Sequence, residues 1–180
     1  MDFPRVTAYI NICFSSFRFL LCNDIINYRD IILISFINNH ICYYIMNVYS
    51  DVSHSALKYL KDIEVNINNV FLMTGNFNIR DSLWDLSFPY HSSISDNLII
   101  IADSFNLALL MLTNPGPTRS FSIAGEANLV IDLMFLCYRS RKLNWHTIHL
   151  DNCLSSNHTP LSINIPIDEE IIYTSKLSIP

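Results

Sequence analysis

The strongest constraint on this chain is a pair of apolar runs, Asp30–Ile37 and Ile41–Tyr49, parted only by the turn-prone Asn38-Asn39. Both are rich in β-branched and aromatic residues and read as strands. Their near-continuous apolar character predicts burial on both faces. Val6–Phe14 reads as an earlier strand and Val70–Met73 as a short central strand that stops at Thr74-Gly75. Leu129–Leu136 is apolar except for Asp132, and His158–Ile165 reads as the last strand. Two helices are predicted. The first spans about Ser53 to Ile67, with Leu57, Leu60, Glu64 and Ile67 at helical spacing and Asp51 or Ser53 as cap. The second runs over Ser95–Phe105 behind the capping-box pattern Ser93-Ile94-Ser95-Asp96, with Leu98, Ile101, Ala102 and Phe105 on one face. Strands mixed with two helices, strands dominating, make the class α/β (α+β). The 180 residues suit one domain over 1–167, followed by a polar tail over 168–180.

Composition narrows the function. The chain is 51% hydrophobic and 15% charged, which excludes disorder as its main state. A net charge of -5 gives no global basic field to collect nucleic acid. No apolar run reaches the ~18 residues of a spanning helix, so no membrane role is expected. Arg18 interrupts the apolar N-terminal stretch, which argues against a signal peptide. Five scattered cysteines fit a reducing compartment, hence an intracellular location in nucleus or cytoplasm. Gly occurs 3 times, Ile 26 and Asn 19. Folding demands neither excess, whereas a gene drifting toward A and T would produce both.

Three polar spots stand out. Asn76 and Asn78, just past the Val70 strand, would point to one side in extended chain. The plain alternative, favoured by the local sequence, is a turn built on two asparagines. Asp132 inside an apolar run is costly unless paired. It is either a strand edge facing water or a carboxylate orienting a histidine. His158 lies at a loop-to-strand junction and, taken alone, reads as a surface histidine. Asn157-His158-Thr159 also matches a glycosylation acceptor, which matters only in a secreted chain. There is no Gly-x-Ser-x-Gly elbow and no zinc-ligand spacing. The one basic run, Arg139, Arg141 and Lys142, is short for a nucleic-acid footprint.

Together these residues resemble a family. Gly75-Asn76-Phe77-Asn78 resembles the Gly-Asp-Phe-Asn motif of the endonuclease/exonuclease/phosphatase superfamily. Ile131-Asp132-Leu133-Met134-Phe135 is similar to its Ile-Asp-hydrophobic motif, and Ser156-Asn157-His158-Thr159-Pro160 to its Ser-Asp-His-Ala-Pro motif. Asn47-Val48-Tyr49 resembles its tyrosine strand. Pro117-Thr118-Arg119 and the stretch Asn78–Asp85 are similar to the fungal non-LTR retrotransposon members. The resemblance implies a two-sheet β-sandwich flanked by helices that cleaves DNA phosphodiesters with Mg²⁺. It implies that position 76 activates water, Asn78 polarises the phosphate, Tyr49 and Thr118 contact substrate, and His158, held by Asp132, stabilises the phosphoryl charge. Positions 76 and 157 would be metal-side acids.

Asn76 and Asn157 stand where the family has Asp, and no strand carries the family's metal-binding Glu, so the N-terminal strands are expected to be missing. Each Asp-to-Asn change needs one G-to-A change, as in the silencing that fungi apply to repeated DNA. The expectation is therefore a degenerate, inactive retrotransposon endonuclease domain with weak or no Mg²⁺ and at best weak DNA binding. The alternative is a catalytically dead module that binds nucleic acid or protein.

Overall fold

A computed structural model describes residues 18–38, 40–63, 67–110, 117–120, 128–138, 147–149, 158 and 161–163. The two constraining runs form a hairpin, β2 (Ile31–Asn38) and β3 (Ile41–Tyr49), in antiparallel register from Ile31↔Val48 to Asn38↔Ile41. His40, in left-handed backbone (φ 64°), helps to turn the chain between them. β1 (Phe19–Leu21) pairs with the outer side of β2, and β4 (Val70–Asn76) lies parallel to β3. β6 (Asp132–Cys137) runs antiparallel to β4, and β5 (Leu107–Leu109) closes the far edge. The six-stranded order is β1-β2-β3-β4-β6-β5; β7 (Thr147–His149) and β8 (Leu161–Ile163) make a second, two-stranded sheet.

Strand alternation sends side chains to two faces. Met46, Val48, Met73, Leu133 and Phe135 face one core, shared with Leu57 and Leu60 of α1 (Ser55–Asp62) and Leu98 and Ile101 of α2 (Ser93–Ser104). Leu72, Met134 and Leu136 face the other way, where Leu161 of β8 packs on them. Helices thus cover one face of the large sheet and the small sheet meets the other, the flanked two-sheet α+β plan that the motifs implied. An eight-residue helix is marginal in isolation, so α1 depends on burying Ala56, Leu57 and Leu60. Fully burying each such side chain contributes about 1.5–3 kcal/mol, and less for alanine.

Several boundaries differ from expectation for local reasons. β4 continues through Thr74 and Gly75 to Asn76 because both neighbours, β3 and β6, keep pairing with it that far. α1 is shorter than predicted: Ile63 turns extended, and Glu64 lies outside the described residues. Asp51 still serves α1, since its Oδ1 accepts the Ser53 and Ser55 N–H groups at 3.1 and 3.2 Å. The α2 cap is Ser92, one residue earlier than the capping-box reading. Its Oγ accepts the Ser95 N–H at 3.2 Å, and Ser95 stands where the box would have Glu. β2 and β3 are not buried on both faces throughout, because their hairpin end overhangs the neighbouring strands and leaves Ile37 and Ile41 exposed. β6 begins at Asp132, and β8 is only Leu161–Ile163. The predicted Val6–Phe14 strand, the tail and the basic run Arg139, Arg141 and Lys142 lie outside the described residues.

Gly75 has a specific reason. Its φ is +147°, and a Cβ there would sit 1.8 Å from the Val48 carbonyl oxygen and 2.8 Å from that carbonyl carbon. The obstacle is backbone in a paired strand, so it cannot rotate aside. Gly75→Ala is expected to lower the unfolding free energy by roughly 3 kcal/mol or more, read by urea denaturation. An unchanged midpoint and slope would show that β3 and β4 tolerate separation there.

Candidate functional site

Three strand ends build the site. Tyr49 is the register partner of Asn76, and Asn76 is the register partner of Asp132, so one row crosses β3, β4 and β6. Their neighbours Val48 and Leu133 face the helix-side core, so alternation turns Tyr49 and Asp132 to the opposite face. Beyond Asn76 the chain must leave the sheet. Phe77 is fully buried and packs edge-on to Phe135, with centroids 5.8 Å apart. This anchor forces a sharp change of direction on either side of it. Asn78 is left-handed (φ 51°), not extended, so the period-2 expectation fails. The turn reading holds: Asn76 Oδ1 accepts the Asn78 N–H at 3.0 Å, an Asx turn at a strand end.

The Asn78 side chain is fixed too. Its Nδ2 donates to the Ser50 carbonyl at 2.7 Å, and the Ser50 N–H donates to the Asn76 carbonyl at 2.8 Å. Ser50 is fully buried. Sequence reading passed it over, because a serine after a strand looks like any turn residue.

Asp132 and His158 meet: Nδ1 of the histidine lies 2.8 Å from Oδ2 of the aspartate. With the carboxylate ionised, Nδ1–H donates, which fixes the tautomer. Burial pushes the Asp132 carboxyl above its usual range, while the His158 hydrogen bond and charge, Thr118 and the Arg119 charge pull it back. The alternative that Asp132 is a water-facing strand edge is thereby excluded. His158 is no plain surface residue; its backbone bridges to Arg119, which also bridges to Leu129.

Thr118 departs from its expected part. It is fully buried, and its Oγ accepts the N–H groups of Ile131 and Asp132 at 3.0 and 2.9 Å. A hydroxyl so engaged positions Asp132. Thr118→Val keeps the shape and orphans both N–H groups. It is expected to cost about 1–3 kcal/mol in thermal or chemical unfolding; a neutral outcome would mean that water replaces the hydroxyl.

The family's Mg²⁺ does not fit the described residues. Mg²⁺ favours carboxylate oxygens. The Asn76 oxygen is spent on the Asn78 N–H, and that donor requires an oxygen, so the amide cannot flip. Nδ2, which has no lone pair to give, is the end left over. Among the described residues no three His, Cys, Asp or Glu side chains group to hold a metal. Asn157 lies outside the described residues.

Next to the site, the loop from Ile79 to Ser92 is pinned by Asp81, which is fully buried. It accepts from the N–H groups of Leu83 and Ser92 at 2.9 and 2.8 Å and pairs with His91 at 3.0 Å. Burial alone would raise its carboxyl. Hydrogen bonds from His91, Ser95, Leu83 and Ser92 outweigh that and bring it down to about 2. His91, bonded to Asp81 and then to Asp96 at 2.9 Å, is raised above its ordinary 6.5. The signs set a window. The Asp81 contribution is complete above its ordinary 3.8 and is lost as pH falls toward 2. The His91 contribution is complete below 6.5 and is lost as pH rises through its elevated value. Denaturation midpoints should therefore peak between about pH 4 and pH 6.5. His91→Gln should remove the alkaline fall, and its persistence would assign that fall to another group.

The endonuclease domain of TRAS1, a telomere-specific non-LTR retrotransposon, superposes with a TM-score of 0.65 at 16% identity, over 85% of this chain and 70% of that one. SmcL aligns with a TM-score of 0.41 at 13% identity, over 74% of this chain and 54% of its own. No protein-family model and no curated protein matches the sequence. The chain thus has the fold of that endonuclease domain. Among the described residues, no helix is long and apolar enough to cross a membrane.

Proposed function

We propose that this chain is a nuclease-type domain of retrotransposon origin that grips a nucleic-acid phosphate without cutting it, acting inside the cell on DNA. The Asx turn carries the reading. Asn76 Oδ1 accepts the Asn78 N–H, and position 76 carries an uncharged amide where cleavage needs an anionic oxygen. An amide also cannot take a proton from water, and losing general-base help costs about 10²–10⁴ in rate. Donors suit a phosphate: the Asn76 amide, the second Nδ2 hydrogen of Asn78 beside the one given to Ser50, and the Nε2–H of a doubly protonated His158 whose Nδ1–H is held by Asp132. The TRAS1 likeness supports DNA as the polymer. The run of Asn at motif positions supports fungal silencing as the route to this state.

Oligonucleotide anisotropy and plasmid nicking test the reading together. A labelled DNA should bind in EDTA, and His158→Ala should weaken it roughly 10-fold or more, the worth of one charge-assisted bond. Supercoiled plasmid should stay intact in Mg²⁺. Asn76→Asp should raise Mg²⁺ affinity in a calorimetric titration, since one carboxylate oxygen can keep the Asn78 N–H and leave the other for a cation. EDTA-sensitive nicking by the unaltered chain that His158→Ala abolishes would overturn the loss of cleavage.

A further inference from the structure

The loop that follows Asn78 carries groups that the phosphate site does not use. Ile79 is buried, and its carbonyl accepts the Trp84 indole N–H at 3.2 Å. Arg80 turns the other way. Its guanidinium lies 4.4 Å above the centre of the Phe88 ring and 3.6 Å from Asp85 Oδ2. That contact is too long for a hydrogen bond, and Arg80 makes none among the described residues. The side chain is therefore placed by stacking and charge, with 28% of its surface exposed. Phe88 in turn supports Tyr90 edge-on, centroids 5.5 Å apart, and Tyr90 is 69% exposed.

A lone exposed tyrosine would mean little. Here the ring stands beside a stacked arginine on a loop that is already rigid. Asp81 ties both ends of the loop, and the Ser82 N–H donates to the Tyr90 carbonyl at 3.0 Å. A ligand would meet little ordering cost. An arginine fork matches phosphate geometry, and an exposed aromatic face accepts any base. Arg80 follows Asn78 by two residues, so a short span of backbone ties the shelf to the turn at the strand ends. Base pairs in a duplex stay stacked inside and cannot lie on such a ring.

We propose that Arg80, Phe88 and Tyr90 form a second subsite that takes an unpaired nucleotide, its base on Tyr90 and its phosphate on Arg80. The subsite extends the phosphate-binding reading of the strand ends, and the two fail separately.

The test is anisotropy in EDTA with a labelled single strand, the same strand as a blunt duplex, and an abasic strand. The single strand should bind more tightly than the duplex. Tyr90→Ala should weaken the single strand by about 5- to 100-fold and leave the duplex and the abasic strand unchanged. Tyr90→Phe should retain binding. Tyr90 is exposed, so the denaturation midpoint of Tyr90→Ala should match the unaltered chain. Arg80→Gln should lower the slope of log affinity against log salt by about 0.7. Single-strand affinity indifferent to Tyr90→Ala overturns the subsite, as does equal weakening of duplex and single strand. Binding that depends on Tyr90 but ignores His158→Ala keeps the subsite and overturns the phosphate reading. Failure of all three nucleic acids to bind overturns both, and would leave a protein partner as the occupant of the shelf.

Discussion

The close approach of Gly75 to the Val48 carbonyl is the constraint on which the site depends. No other residue type leaves the carbonyl its space, and the φ of +147° suits glycine alone. Because the two backbones close up here, β3 and β4 stay paired to their last residues, and Tyr49 comes level with Asn76. β6 pairs on the other side with Asp132 level as well. Three segments far apart in sequence then end in one row. In a chain with only 3 glycines, keeping one at this position is a geometric necessity.

The row is stiffened by bonds that also limit its chemistry. Phe77 buried between two asparagines creates the turn, and the Asx bond fixes it. An aspartate could accept the same N–H and still face outward with a charged oxygen. The asparagine accepts it and brings no charge. The fold is therefore compatible with either residue at position 76, while the electrostatics of the site reverse. The turn needs only an acceptor, whereas Mg²⁺ favours a charged oxygen. Thr118 shows the same division: its hydroxyl holds two backbone N–H groups and so holds Asp132 in place.

Much of the plan was legible from pattern. β3 was read to its boundaries, β4 as the central strand, and both helices by their apolar spacing, because those signals are local and periodic. β1, β5 and β7 were missed, since strands of three residues carry no period to read. The Ser92 cap was misplaced by one because three nearby serines, Ser92, Ser93 and Ser95, satisfy the same rule and only packing chooses. Ser50 and Thr118 were invisible as positioning residues, for their partners lie 28 and 13 residues away.

The sequence by itself determined the two helices, the long strands and the need of Asp132 for a partner, consequences of periodicity and of the cost of burying charge. Only the tertiary structure decided that the partner is His158, that Asn78 is turned and not extended, and that Asn76 Oδ1 closes the turn. Those outcomes depend on hydrogen bonds between segments whose separation along the chain no local pattern encodes, and a polar side chain's role is set by which donor or acceptor reaches it first.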